Sequence, residues 1–379
     1  MSGPRKVLLF QNRFLLGGQE RQTALHVRTM DRSRWEPVVA CLRREGEHLA
    51  ELEAAGVDPI VFDLGGRMLR PNTALQVARL ARLVRAERIA LVHAQDVYTD
   101  VLGTLAARLA GVPSIVTRVD LGHHVTGYRR PALRIASRQA DRVLVNALCI
   151  RELVIREGVD ADRVVVVRNG VDLDAIDAAA RAAPAPPVPD GAIVCIGNMH
   201  HPVKGQEDLL VAMREVIRER PAARVAFVGD GVRRPHLERL AGQLGIAERC
   251  HFLGFRRDGP ALLARAALSV SASHAEGISN GILEAMALRL PMVATQVGGT
   301  PELVRDGVNG LLVPPGAPAA LARGILDLLA DAGLRRTFGE AGRRIVEREF
   351  GLAQMRLSYD ALYQQLVVSR VPRVMYGAA

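Results

Sequence analysis

The sequence predicts an α/β protein made of two doubly wound, parallel-sheet domains in tandem. Three observations predict it. The chain has 379 residues, more than one hydrophobic core ordinarily serves, so it should divide in two. Short β-branched runs alternate with amphipathic helical stretches from end to end, the rhythm of parallel sheets covered on both faces. That rhythm breaks at 182–189, where Ala-Ala-Pro-Ala-Pro-Pro-Val-Pro can neither form a helix nor join a sheet interior.

The elements follow in order. Strands are expected at 6–11, 37–42, 59–63, 89–94, 114–118, 142–146 and 164–168. Helical patterns separate most of them. The clearest are 73–87 and 100–110, the latter stopped by Gly111-Val112-Pro113. After the break, strands are expected at 192–196, 224–228, 251–254, 268–273, 292–295 and 310–313. The stretch 334–368 reads as helical and is expected to pack back across the domain junction, with 369–379 a frayed tail. The expected division is therefore 1–182, a linker at 183–190, a second domain at 191–345, and a returning helix and tail at 346–379. Two such sheets are expected to face one cleft, lined by the C-terminal ends of their strands.

Composition removes several functions. Aromatics are 4% of the chain, too few for a base-stacking platform. The four cysteines, Cys41, Cys149, Cys195 and Cys250, form no CxxC pair, which excludes a zinc ribbon or thioredoxin motif and fits a reducing compartment. No apolar run approaches the ~18 residues of a membrane span. The run Val7–Phe10 is too short for a signal peptide and is broken by Gln11-Asn12-Arg13. A cytoplasmic chain is expected, peripheral at the inner face of the membrane. The net charge of +10 rests on 48 arginines and two lysines, Lys6 and Lys204, and is spread over both halves. No nucleic-acid partner is implied; an acidic substrate or an anionic surface suits the charge as well.

The most informative stretch is Ser271-Ala-Ser-His-Ala-Glu276-Gly-Ile-Ser-Asn-Gly-Ile-Leu-Glu284. A strand should end near Ser273 and a helix begin near Ser279–Gly281, leaving Glu276 in the loop and Glu284 about one turn inside the helix. First-turn amides lack intrahelical acceptors, and with the helix dipole they suit a diphosphate. Gly277 and Gly281 allow close backbone approach, and Glu284 suits both hydroxyls of a ribose. An ordinary solvated helix start reads equally well from these residues alone. The second stretch is Cys195-Ile-Gly197-Asn198-Met-His-His-Pro-Val-Lys204-Gly205, opening an amphipathic helix. A lysine gains nothing from the positive end of a helix dipole, so an arriving anion would explain Lys204; a plain surface lysine is the alternative. The third is Gly17-Gly18-Gln19-Glu20, a phosphate-approach turn without full GxGxxG spacing, or simply a tight strand-to-helix turn.

Together these residues resemble a family 4 glycosyltransferase, a retaining, nucleotide-sugar-dependent enzyme of the GT-B fold. The resemblance covers nearly the whole chain. It is carried by the Glu-x7-Glu element Glu276–Glu284, then Ala285-Met286-Ala287, Pro291-Met292-Val293-Ala294-Thr295, Gly298-Gly299, Pro301-Glu302 and Asn309-Gly310. Asn169-Gly170-Val171-Asp172, Gly197 with Lys204-Gly205, Gly229-Asp230-Gly231, Gly17-Gly18 and Ala140-Asp141-Arg142 support it.

The resemblance implies catalytic roles for Glu276, at the donor sugar, and for Lys204, at the diphosphate. It implies that Glu284 holds the ribose and that backbone amides of Ile278, Ser279, Asn280, Gly281 and Ile282 hold phosphate. Gly17 and Gly18 would close the site, Gly197 and Asn198 would line it, and the base would lie near Gly229 and the segment His251–Arg256. No cofactor is implied, since the nucleotide sugar is a substrate, and no metal. Asp160-x-Asp162 and Asp172-x-Asp174 match a metal-binding DxD only by spacing. Two departures stand out. Asn198 replaces the arginine many members carry, leaving the second phosphate cation to His200, His201 or an arginine elsewhere. Val119 replaces a strand-end histidine; Asp120, His123 and His124 follow it as acceptor-side candidates.

The partners implied are a nucleotide-sugar donor and a glycan or lipid-linked acceptor. Arg130, Arg134, Arg138 and Arg142 recur every four residues, with Pro131 suited to a helix start. They read as an anionic-membrane face, or as a merely solvated one. Two other functions fit the same fold: a nucleotide-sugar epimerase, and a non-catalytic binder of nucleotide sugars or polyanions. Incubation with donor alone separates the first, because an epimerase changes the sugar itself. Intact Glu276, Glu284 and Lys204 speak against the second.

Overall fold

Along β1 (Arg5–Gln11) the buried side chains alternate between two cores. Val7 and Leu9 join one apolar cluster, and Leu8 and Phe10 the other. A strand apolar on both faces can satisfy them only inside a sheet covered by helices on each side. In the computed structural model, residues 3–64, 71–122, 125–182, 188, 190–256 and 258–368 are described. The chain forms two units, one of residues 1–170 with 352–379 and the other of residues 171–351.

The first unit holds β1, β2 (Trp35–Cys41), β3 (Ile60–Val61), β4 (Leu91–Ala94), β5 (Ser114–Arg118), β6 (Arg142–Val145) and β7 (Val164–Val166), in the order β3-β2-β1-β4-β5-β6-β7. The second holds β8 (Ile193–Ile196), β9 (Val225–Val228), β10 (Cys250–Phe252), β11 (Leu268–Ser271), β12 (Met292–Thr295) and β13 (Gly310–Val313), in the order β10-β9-β8-β11-β12-β13. Every pairing is parallel. All thirteen expected strands are present within a few residues of their expected bounds.

The expected boundary at residue 182 is corrected to 170. Helix Leu173–Ala182 belongs to the second unit. Its Asp177 takes both guanidinium nitrogens of Arg343 at 2.9 Å, and Arg343 also donates to the Ala287 carbonyl at 2.8 Å and to Glu347 at 2.7 Å. One side chain, 8% exposed, thereby ties three helices together. The Pro-rich stretch marks a break in regular structure, not the border between cores; of 183–189 only Val188 is among the described residues.

The single long helical pattern at the end is two helices, Ala332–Glu349 and Leu352–Val368. The chain changes unit between them, at residue 351 rather than 345. The last helix completes the first unit's core with Leu362, Tyr363 and Leu366. Tyr363 Oη meets His26 Nε2 at 2.9 Å and His93 Nδ1 at 2.8 Å, while His93 Nε2 meets Thr117 Oγ1 at 2.9 Å. The expected frayed tail lies outside the described residues.

The arginine stripe is also corrected. The helix spans Arg129–Gln139, so Arg142 lies on β6 instead. Arg134 lies 3.3 Å from the Glu157 carboxylate, and Arg138 donates to the Glu157 carbonyl. Compensation comes from a residue distant in sequence, which leaves Arg130 as the stripe's one helical member without a side-chain partner among the described residues. No described helix is long and apolar enough to cross a membrane.

Candidate active site

In the second unit β8 and β11 are neighbours, and the strand order turns between them. The C-terminal ends of two such strands bound the crevice in which open α/β sheets hold ligands. The loop after β8 carries Gly197, Asn198 and Lys204; the loop after β11 carries Glu276.

Glycine backbones bring these loops into contact. Gly229, after β9, has φ +136°, and a Cβ there would fall 2.2 Å from the Gly197 carbonyl oxygen. Its N–H donates to the Gly254 carbonyl at 2.9 Å, setting the end of the 251–254 segment alongside. The 3-10 turn Pro202–Lys204 ends on Gly205, which has φ +62° and would place a Cβ 1.9 Å from the Ala272 carbonyl oxygen. Only glycine lets this turn press on the β11 loop and start helix Gln206–Glu219 at once.

Lys204 Nζ consequently reaches Glu276 Oε2 at 2.6 Å, and Ser273 Oγ donates to the same oxygen at 3.1 Å. The lysine and glutamate side chains are 23% and 13% exposed. Cys195, on β8, is no nucleophile: burial pushes its thiol up to about 12 against the opposing pull of Lys204.

The Glu276 backbone is held as tightly as its carboxylate. Gly299 N–H donates to the Glu276 carbonyl at 3.1 Å, and a Cβ on Gly298, which has φ +50°, would fall 1.9 Å from that oxygen. Helix Asn280–Ala287 then starts from Ser279, whose side chain makes no capping hydrogen bond. Its first intrahelical bond runs from Leu283 N–H to the Ser279 carbonyl at 3.1 Å, so the preceding amides have no intrahelical acceptor. The buried side chains of Ile278 and Ile282 anchor this start. Gly281 lies against Ile196, where a Cβ would fall 3.2 Å from the isoleucine Cβ. Glu284 follows one turn on, half-buried.

The second unit therefore brings Gly197, Asn198, Lys204, Gly229, Glu276 and Gly281 together near the end of β8, with Glu284 one turn farther along its helix. Arg256 lies just beyond the 251–254 segment. Its guanidinium is engaged by Asp258 at 2.7 and 2.6 Å, hydrogen bonds that hold the Asp258 carboxyl below its usual range. Asn198 Oδ1 accepts the His200 N–H at 3.3 Å, a turn contact. Gly17 and Gly18 open helix Gly18–Thr29 in the first unit, where a Cβ on Gly17 would fall 1.9 Å from Glu20 Oε2. Asp120 lies in that unit too, accepting the Gly122 N–H; His123 and His124 lie outside the described residues. Asp172 accepts the Ala175 N–H at 3.1 Å and so serves as a helix cap.

Comparison with known proteins bears on this geometry. Residues 16–175 match the family model described as Glycosyltransferase Family 4, and residues 190–331 match that described as Glycosyl transferases group 1. It belongs to glycosyltransferase family 4.

A D-inositol 3-phosphate glycosyltransferase of Streptomyces bingchenggensis is 32% identical over 277 residues, 69% of this chain and 58% of that protein. A lipopolysaccharide core biosynthesis glycosyltransferase, LpsE of Rhizobium meliloti, is 33% identical over 156 residues, 41% of this chain and 45% of that protein. Each match spans less than two thirds of the relative's own length. The solved structure of Anabaena Alr3699/HepE with UDP and glucose has a TM-score of 0.83 at 24% identity, covering 96% of this chain and all of that one. That likeness is one of fold, the GT-B fold with its two Rossmann-like sheets. In this chain, sequence reasoning missed how Lys204 is held: His201 caps its turn, the His274 backbone meets that turn, and the His274 ring meets Asp208 on the adjoining helix. The His201 cap is local to residues 201–203, whereas His274 comes from a loop some 70 residues away.

Proposed function

We propose that this glycosyltransferase moves a sugar from a UDP- or GDP-linked donor to a hydroxyl of a lipid-linked or polysaccharide acceptor, with retention and without a metal ion. The observation that carries this reading is the Lys204–Glu276 pair, on the loops that flank the start of helix Asn280–Ala287, where Ser279 makes no side-chain cap. An ammonium has three donors. Glu276 takes one, and two remain for diphosphate oxygens. The same pairing neutralises Glu276, so it can stand beside the donor sugar without repelling the phosphates. As the sugar–phosphate bond breaks, charge builds on the diphosphate, where Lys204 and the first-turn amides stabilise it in a preorganised way. The departing phosphate takes the acceptor hydroxyl's proton, so no enzyme nucleophile is needed. The UDP and glucose held by the solved neighbour support a nucleotide-sugar donor, and the lipopolysaccharide core made by the Rhizobium relative supports a glycan acceptor.

Lys204→Ala tests the reading. It should weaken nucleoside-diphosphate binding by roughly 1.5–3 kcal/mol, the worth of a charge-assisted hydrogen bond, and leave nucleoside binding unchanged. Calorimetry with a chelator present throughout decides; equal losses for both ligands would remove Lys204 from the phosphate site. The two glutamates should separate kinetically. Glu284→Gln should raise donor KM, because a ribose contact exists before and during the reaction, whereas Glu276→Gln should lower kcat. Steady-state kinetics that show one shared phenotype would refute the assignment.

A further inference from the structure

Lys204 sits on a turn that has little holding power of its own. Pro202–Lys204 is one 3-10 turn, closed by Gly205 N–H to the Pro202 carbonyl at 2.9 Å. Gly205, which begins the next helix, has no side chain to cap with. Two histidines supply what the turn lacks. Val203 N–H donates to His201 Nδ1 at 3.1 Å, so His201 caps the turn. A backbone amide can only donate, so Nδ1 carries the lone pair and the ring is the neutral Nε2–H form. At the other end of the same residue, the Val203 carbonyl accepts the backbone N–H of His274 at 2.7 Å. The His274 ring in turn meets Asp208 Oδ2 at 2.7 Å. Asp208 is the third residue of helix Gln206–Glu219, a position from which an acid often reaches back to its own helix start; here it reaches across to the Glu276 loop instead.

We propose that His201 and His274 are positioning residues that set Lys204 for the donor diphosphate: His201 by capping its turn, His274 by fastening through its ring the helix that follows that turn to the loop of Glu276. The residue before Lys204 has both backbone polar groups fixed by these histidines. The lysine therefore starts its reach from a fixed Cα, and the 2.6 Å contact with Glu276 follows. Neither ring needs to touch the donor. The inference rests on the reading of Lys204 as the phosphate cation.

The test uses the full chain and whichever of UDP or GDP it binds more tightly, with the matching nucleoside as control. His201→Ala should weaken diphosphate binding about fivefold, the usual worth of a cap, and His274→Ala, which loses the ring's contact with Asp208 and keeps its backbone bond to Val203, about threefold, the worth of an ordinary hydrogen bond. Nucleoside binding should not change, although a general loss of structure would lower both. His201→Asn should restore affinity to within about twofold, because asparagine Oδ1 lies as many bonds from Cα as histidine Nδ1 and is a preferred cap. His274→Gln should do the same by keeping a donor for Asp208. In a Lys204→Ala background neither alanine change should cost anything further, as two changes acting through one group are not additive. The brace is overturned if His201→Asn is as weak as His201→Ala, if the nucleoside weakens equally, or if the losses add to that of Lys204→Ala. Should Lys204→Ala itself leave diphosphate binding intact, the phosphate reading falls, and the brace with it. A Lys204→Ala loss alongside silent histidine variants removes the brace alone.

Discussion

Lowering the pH from 7 to 5 should strip about 2 kcal/mol from the first unit through His93 alone. His93 is fully buried, and burial lowers it from an ordinary histidine value to about 3. In the unfolded chain it takes a proton near pH 6.5. Between those values the unfolded state binds more protons than the folded one, so stability falls as the pH falls and levels off only near pH 3. His26 acts in the same direction: burial also holds it well below the usual range, and its Nδ1 is a buried atom with no hydrogen-bond partner. Tyr359, Tyr363 and Thr117 face the two rings, none of them a carboxylate, and the nearby charge of Arg32 lowers His26 further. The measurement is simple because the chain has one tryptophan. Trp35 stands edge-on to Tyr363 with ring centroids 5.5 Å apart and donates to Asp360 at 2.7 Å, so its fluorescence reports docking of the last helix. Urea unfolding followed at Trp35 should show the loss, and His93→Gln should flatten it. A stability unchanged between pH 7 and 5 would contradict the account.

Arg343→Ala should destabilise the second unit by about 3 kcal/mol, the lower end of what removing one partner of a buried pair costs. The lower end applies because Asp177 retains 24% side-chain exposure and can rehydrate in part. Arg343→Lys should fall between, since an ammonium cannot make the bidentate contact. The damage should also reach the nucleotide. Ala287, whose carbonyl Arg343 holds, ends the helix whose other end, in the proposed function, offers amides to the diphosphate. Urea unfolding by circular dichroism, with and without nucleoside diphosphate, checks both effects. A change below about 0.5 kcal/mol, the range of surface substitutions, would show that the ion pair is dispensable.

These two residues also mark where sequence reasoning stops. Strands and most helices were legible because periodicity is local: the runs at 6–11 or 292–295 announce themselves in a few residues. The Glu276, Glu284 and Lys204 elements were legible for the same reason, each lying at a strand end or helix start. Membership of a core is not local. Asp177 and Arg343 are 166 residues apart, and nothing in either neighbourhood names the other, so composition put the border at the prolines. Arg142 continued a four-residue repeat past the helix end, and Glu157 answered the charge from beyond it. The brace on Lys204 needed the register of two loops 70 residues apart.

The first unit is discontinuous in the chain, and that has a consequence during synthesis. A ribosome adds roughly 5–20 residues per second in cells. Between Gly170 and Leu352 it must make the whole second unit, a delay of roughly 10–40 s at those rates. Through that interval the nascent first sheet has no Tyr363 to cover His26 and His93, and the face bearing Leu362, Tyr363 and Leu366 has yet to exist. The unit made first is therefore finished last. Its open flank is the surface a chaperone would meet, and the final helix is the piece whose arrival ends that vulnerability.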